Sequence, residues 1–448
     1  MHRLIREQLS TLQQDQQQTG TFLPRHVERQ FPRYLNCGML AHGFIRTACL
    51  TCRSARLVAF SCKGRTLCPS CGAKRMAVQA AHLLERVLPH VPIRQWVLSM
   101  PFDLRFLLAS QPRIMTAVLR TFIHSIFSYY RNANSKLHCG AVAFIQRFDS
   151  ALNLNVHFHV VVMDGGYLIN EHGDPVFQPA KAPSHEALLN ASTHIANATR
   201  RLLIRKGFID HFGEWTSDLD ATAIPSFEPP KFGWFTADEK QIPAPRGTTS
   251  KNKSTANVHG FSVHAGLHIP AHDRERLERL CRYVARPPFA NEQLIRYEND
   301  QVIFKLSKQR HNGATHAFMS AQKFMRRICS LIPPAKQNLV RYFGVLGPAA
   351  KLRPFIVPHR NIDLGVTALP PCRALGIDWA SLLKRVYDID VFECPCGGRM
   401  RVISVIEDPT VIKKILDHLH LPTELPTIHP ARAPPQQEFF DECFDESA

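Results

Sequence analysis

The sequence predicts an α+β fold: an antiparallel sheet flanked by helices, with a small metal-stapled module ahead of it. Two β-rich runs, "GAVAFIQRF" and "NVHFHVVVMD", are separated only by the short polar stretch "DSALNL", the pattern of adjacent antiparallel strands. Segments around them carry apolar residues at helical spacing. Near the N-terminus, "CLTCRSARLVAFSCKGRTLCPSC" sets Cys49 and Cys52, then Cys68 and Cys71, as two C-x-x-C pairs with fifteen residues between them. Each pair offers two thiolates from one tight turn, so two pairs make a closed tetrahedral sulfur shell that suits zinc.

In chain order, residues 1–36 read as a polar helix and a Pro- and Arg-punctuated lead-in, and residues 37–75 as the zinc-binding, DNA-binding module. Residues 76–213 begin the main domain. There "AKRMAVQAAHLLERVL" is a helix leaving the module, "RQWVLSM" a strand, "RIMTAVLRTFIHSIFSYYR" a buried helix and "SHEALLNASTHIANATRRLLIRKGF" a helix capped by Ser184. Residues 214–258 turn Pro-rich, then Ser/Thr/Lys-rich, without periodicity, as a loop or linker does. The domain resumes over 259–347 with a strand, "GFSVHAGLHIP", and a helix, "HDRERLERLCRYVAR", whose cap is Asp273 and whose apolar stripe is Leu277, Leu280, Cys281 and Val284. A hairpin turning at Asn299-Asp300 and a basic helix over "AFMSAQKFMRRICSLI" follow. Residues 348–420 form a C-terminal region, and 421–448, Pro-rich and then acidic, read as a disordered tail.

At 448 residues with 45% apolar content the chain supports two or three domains with real cores. Lys and Arg outnumber Asp and Glu by 55 to 37, a net charge of +18, which points to nucleic acid as partner. No apolar run approaches the roughly 20 residues of a membrane span, and "MHRLIREQLSTLQQDQQQ" lacks the apolar core of a secretory signal. A cytoplasmic protein without a membrane partner is expected. In that reducing compartment the 13 cysteines are no disulfide framework. Scattered ones, such as Cys139, Cys281 and Cys329, read as packing. Cys37 and Cys62 are left over beside the module, one as a substitute ligand or both in a second site, and "CPCGG" at Cys394 and Cys396 supplies only two ligands. Arg65, Lys74 and Arg75 belong to a basic run with no acidic residue between Cys37 and Arg75, the signature of a surface that docks on phosphates.

His157 and His159 stand one residue apart on a strand and therefore project from the same face. Two imidazoles make half a metal site, although histidines held by carbonyls in a packed core are the competing reading. Gln146 or Asp149 on the neighbouring strand would supply a third ligand, and oxygen donors of that kind suit Mg²⁺ or Mn²⁺. Such an ion in a basic protein would polarise a phosphodiester.

Taken together, "FIQRFDSALNLNVHFHVVVMDGG", "RLCRYVARPPFA", "LVRYFGVLGP", "CPCGGRMRVISVIEDPTVIKKIL" and the basic cysteine module resemble the rolling-circle transposases of the insertion-sequence ninety-one type. The resemblance implies a His-hydrophobic-His nuclease core, a divalent ion on His157 and His159, and Tyr283 as the nucleophile that nicks and rejoins single-stranded DNA ends. Arg279 and Pro287, four residues to either side of Tyr283, place the chain with the single-tyrosine branch, in which one tyrosine acts twice or a homo-oligomer supplies a second. Arg282 and Arg286 are candidates to lower the phenol pKa and to bind DNA. Trp96, Phe102, Phe148 and Phe158 are candidates for base stacking. A replication initiator or relaxase would share this chemistry. A non-catalytic zinc-dependent regulator would need the cysteines without Tyr283.

Overall fold

The computed structural model describes residues 1–20, 22–210, 216, 254–309, 313–358 and 392–430. The chain opens with α1 (His2–Gln18), α2 (Arg25–Glu28) and α3 (Gln30–Leu35), then β1 (Phe44–Cys49), β2 (Ala55–Ala59) and α4 (Pro69–Arg86). It continues through β3 (Ile93–Ser99), α5 (Leu104–Ser110), α6 (Pro112–Arg131), β4 (Gly140–Phe148), β5 (Leu154–Met163), β6 (Gly165–Ile169), β7 (Pro175–Pro179) and α7 (His185–Arg205). After the undescribed stretch come β8 (Thr255–Val258), β9 (Phe261–Ile269), α8 (Arg274–Val284), β10 (Leu294–Glu298), β11 (Gln301–Lys305), β12 (His316–Ser320), α9 (Ala321–Leu331), β13 (Val340–Gly344) and α10 (Arg353–Ile356). β14 (Met400–Ile406) and α11 (Pro409–His418) close the described chain.

The central sheet has six strands in the order β13-β4-β5-β3-β9-β8, every neighbouring pair antiparallel. Alternation sorts its side chains. Val156, Phe158, Val160 and Val162 of β5 face one layer, packing with Met115, Phe122 and Ile126 of α6 and with Leu188 and Ile195 of α7. Val161 and Met163 face the other, with Leu83 and Leu84 of α4 and Leu277, Leu280, Cys281 and Val284 of α8. Each such fully buried aliphatic chain contributes roughly 1.5–3 kcal/mol. His157 and His159 continue the second row, so the sheet's own pleat carries them toward α8.

The caps behave as their chemistry requires: Ser184 Oγ accepts from Ala187 N at the start of α7, and Asp273 accepts from Arg276 N at the start of α8. Asn299 and Asp300 take φ of 46° and 58°, which makes the β10–β11 turn the primed kind that suits strand twist. Three expectations need correction. The span read as basic helix from Ala317 begins as β12, because its first residues pair with β11, and Ser320 then caps α9. Most of the expected 214–258 linker lies outside the described residues, but Thr255–Val258 forms β8 on the sheet edge through its pairing with β9. Of the expected disordered tail, residues 431–448 lie outside the description, whereas Thr427 and His429 are tied to α1 by bonds from Arg6 Nε (2.8 Å) and Ser10 Oγ (2.7 Å) to their carbonyls. Among the described residues no helix is long and apolar enough to cross a membrane.

Under the sheet, Arg94 meets Asp164 in a two-pronged pair, Nε to Oδ1 at 2.9 Å and Nη2 to Oδ2 at 2.7 Å, with Tyr130 donating to Oδ1 at 3.0 Å. Both members are buried. Removing the carboxylate strands a buried guanidinium, so Asp164→Ala should cost about 3–5 kcal/mol in urea unfolding, and Asp164→Asn less. A loss under 1 kcal/mol would show that the pair is solvated.

Candidate active site and cysteine clusters

In register, His157 lies opposite Gln146 of β4 on one side and Ser99 of β3 on the other, while His159 lies opposite Phe144 and Val97. The two imidazole centroids are 4.9 Å apart, edge to face. His157 Nδ1 donates to Asn155 O at 2.8 Å, which fixes the tautomer and leaves the Nε2 lone pair for an acceptor role. Gln95 Nε2 donates to His159 Nδ1 at 2.9 Å, which leaves the ring proton on the buried Nε2 of His159, an atom with no hydrogen-bond partner. Exchanging the Gln95 amide oxygen and nitrogen would let the oxygen accept from Nδ1–H and free the Nε2 lone pair for a metal. Burial lowers the pKa of His157, an effect the Asn155 carbonyl opposes and Arg286 reinforces. Burial, with His157 and Arg286 beside it, pushes His159 down to about 3. Both rings are therefore neutral near pH 7, the state in which imidazole binds a metal.

Gln146 donates through Nε2 to the carbonyls of Tyr283 (3.3 Å) and Val284 (2.9 Å), pinning the end of α8 to the strand that faces the histidines. Its buried Oε1 has no hydrogen-bond partner. Two buried atoms without hydrogen-bond partners, His159 Nε2 and Gln146 Oε1, thus lie on one face of the sheet. Asp149 is not part of this set. Its carboxylate accepts from Ala151 N, Asn153 N and Asn153 Nδ2 at 2.8–2.9 Å, because the turn from β4 to β5 needs those donors satisfied.

Tyr283 sits beside the buried stripe of α8 and is 39% exposed. Its ring centre is 5.6 Å from that of His159, edge to face, so the helix and the strand bring phenol and imidazole together from positions far apart in the chain. The Arg286 guanidinium lies 4.9 Å over the Tyr283 ring and 5.3 Å over the Phe148 ring. Arg282 is engaged elsewhere: it pairs with Glu278 one turn back, at 2.9 Å. Of the stacking candidates, Trp96 and Phe158 are fully buried and unavailable to a base, because both face the α6 layer; Phe102 is 61% exposed.

The cysteines form two tetrads. Cys37, Cys62, Cys68 and Cys71 converge, and so do Cys49, Cys52, Cys394 and Cys396, each set with all its sulfurs within 4.8 Å of one another. The single shell of Cys49, Cys52, Cys68 and Cys71 is thereby divided. The reason is the hairpin between: Cys49 and Cys52 lie at its turn, while Cys62 and Cys68 follow the returning strand, and a five-residue strand separates its ends by roughly 15 Å. Sulfur separations of 3.8, 3.7 and 3.6 Å in the first tetrad, and of 3.6 and 3.5 Å in the second, match the edge of about 3.8 Å that a tetrahedron with bonds of about 2.3 Å requires. Cys68 caps α4 and Cys71 lies in its first turn. The second set is closed by β14, which pairs antiparallel with β1 and sets Met400 opposite Cys49. The Cys49 thiol is held down to about 6, first by the backbone N–H of Cys52. A side chain at Gly398 would come within 2.9 Å of Cys49 Sγ, so the "CPCGG" knuckle closes only with glycine there.

Comparison with known families adds to this geometry. Residues 6–100 match a family model described as "Transposase zinc-binding domain", and residues 140–353 match one described as "Putative transposase". The chain belongs to the insertion-sequence ninety-one family of transposases. No curated protein and no solved structure matches it. The zinc-binding match spans six of the eight clustered cysteines, and the two it does not reach, Cys394 and Cys396, complete the second tetrad. The other match contains His157, His159, Gln146 and Tyr283. Sequence reasoning did not find Gln95, whose signal was a polar side chain next to Arg94 at the start of the strand "RQWVLSM".

Proposed function

We propose that this transposase nicks and rejoins single-stranded DNA ends through a covalent 5′-phosphotyrosine on Tyr283, in a His-hydrophobic-His nuclease core. The observation that carries the reading is the partly exposed Tyr283 ring beside His159, next to two buried polar atoms without partners. His157, His159 and Gln146 Oε1 would hold Mg²⁺ or Mn²⁺, a mixed nitrogen and oxygen set that either ion accepts. Such an ion supplies Lewis-acid polarisation of the scissile phosphate. Zinc in each cysteine tetrad would be structural, since all four positions of each are protein thiols.

In the forward step the Tyr283 hydroxyl oxygen bonds to phosphorus as the phosphorus–O3′ bond breaks, the phenol proton passes to solvent, and the departing 3′ oxygen takes a proton. A second 3′-hydroxyl reverses the step at the target. The Arg286 guanidinium over the phenol ring and the Gln146 bonds to α8 keep the ring in place. Single-stranded element ends and targets are the proposed DNA partners, with Arg65, Lys74, Arg75 and Arg286 among the cations that meet phosphate.

Labelled single strands incubated with the protein and Mn²⁺ should yield a covalent protein–DNA band. Binding without such a band would favour the non-catalytic regulator. His157→Ala/His159→Ala should lower adduct formation by on the order of a hundredfold or more and remove its dependence on added Mn²⁺. Unchanged Mn²⁺ dependence in that variant would show that the ion sits elsewhere.

A further inference from the structure

A cavity of about 620 Å³ lies between α4, the end of β4 that runs past its pairing with β13, and the turn after α8. Arg65, Arg75, Arg147, Arg286 and Arg341 line it, and no carboxylate does. Among the described residues none of the five is in an ion pair. Their hydrogen-bond partners are neutral: Arg65 donates to Gln337 O at 2.7 Å, Arg75 to Lys63 O at 3.0 Å, and Arg341 to Thr116 Oγ1 at 2.9 Å. Arg147 is 4% exposed and spends its ends on the carbonyls of Ala109 and Ser330. Its Nε and the Nε of Arg286 are buried without partners. Five like charges around one recess repel one another and favour an anionic guest, and buried polar atoms left unpaired favour one that hydrogen-bonds.

The walls are not only charged. Tyr342 lines the cavity with its hydroxyl held by Gln79 Nε2 at 3.2 Å, which offers a ring to a flat partner. The volume falls in the range of about 300–1,000 Å³ usual for small organic ligands, more than a bare phosphate fills. Arg286 lines the cavity and also covers the Tyr283 ring, so the recess is one side chain away from the phenol. We propose that this cavity is a nucleotide subsite: it takes one nucleotide of the single strand flanking the bond that Tyr283 attacks, its phosphate on the arginines and its base against Tyr342. The proposal rests on the reading of Tyr283 as nucleophile and extends it to where the strand runs next.

The test uses the full chain carrying Tyr283→Phe and a pool of single strands of random sequence containing 5-iododeoxyuridine. Arg75→Ala and Arg341→Ala should each weaken binding by about tenfold in fluorescence anisotropy, and each lost phosphate contact should lower the slope of log affinity against log salt by roughly 0.7. Ultraviolet light should attach the strand to the peptide that contains Tyr342. Parental affinity and slope in both variants, with no label on that peptide, would overturn the proposal. So would inorganic phosphate that displaces the pool at matched ionic strength with no label at Tyr342, the behaviour of a simple anion site. The chain with Tyr283 intact separates the two readings: a covalent adduct without label at Tyr342 removes the subsite alone, and label without adduct removes the tyrosine chemistry and leaves the subsite.

Discussion

Tyr283→Phe should abolish the covalent protein–DNA adduct, a loss on the order of a thousandfold or more, while single-strand binding stays within about twofold of the parent. The substitution removes one oxygen from a ring that is 39% exposed and leaves the edge-to-face contact with His159 and the Arg286 cation above it. Stability should therefore change by no more than about 0.5 kcal/mol, so a lost adduct cannot be blamed on misfolding. Denaturing gels of end-labelled strands read the adduct, and mass spectrometry of the digested adduct reads its position. An adduct that survives in the phenylalanine variant would assign the nucleophile to another residue.

Metal analysis of the purified chain should find two zinc ions, one for each tetrad. Cys68→Ser should remove one and Cys394→Ser the other, while Cys49→Ser combined with Cys394→Ser should still remove only one, because those two belong to the same set. If Cys49 and Cys68 shared a single shell, Cys49→Ser with Cys68→Ser would cost one ion instead of two. The consequences for folding should differ as well. A structural zinc site is worth on the order of 10 kcal/mol to the segment it organises. Cys68→Ser should therefore loosen α4 where it leaves the module. Cys394→Ser should instead release β14 from β1, seen as faster proteolysis after residue 392 with the unfolding of the six-stranded sheet unchanged.

Much of this was legible in the residues because it is local. Alternation placed His157 and His159 on one face of a strand, the short "DSALNL" connection made β4 and β5 neighbours, and Asp273, Ser184 and the Asn299-Asp300 turn obeyed capping and turn chemistry. The apolar stripe of α8 put Tyr283 to the side of the packed face, where it is found. What the sequence did not disclose depends on partners distant in the chain. Two C-x-x-C pairs look like one shell until the hairpin between them is measured, and a C-x-C near residue 395 looks unpartnered until β14 is seen lying on β1. Asp149 beside the histidines reads as a ligand, yet its lone pairs are taken by the turn it builds, an outcome set by which donors the backbone leaves unsatisfied.

The joining of Cys49 and Cys52 to Cys394 and Cys396 also bears on synthesis. A nascent chain emerges N-terminal end first, at about 5–20 residues each second, so the first half of that clasp waits in the open while more than three hundred residues are made. The entropic toll of closing so long a loop grows only slowly with its length, and the wait is longer than the closure is difficult. Only a message read past the codon for Cys396 brings Cys49 and Cys52 their partners, and fragments from translation interrupted before it carry those two thiols with nothing to grip.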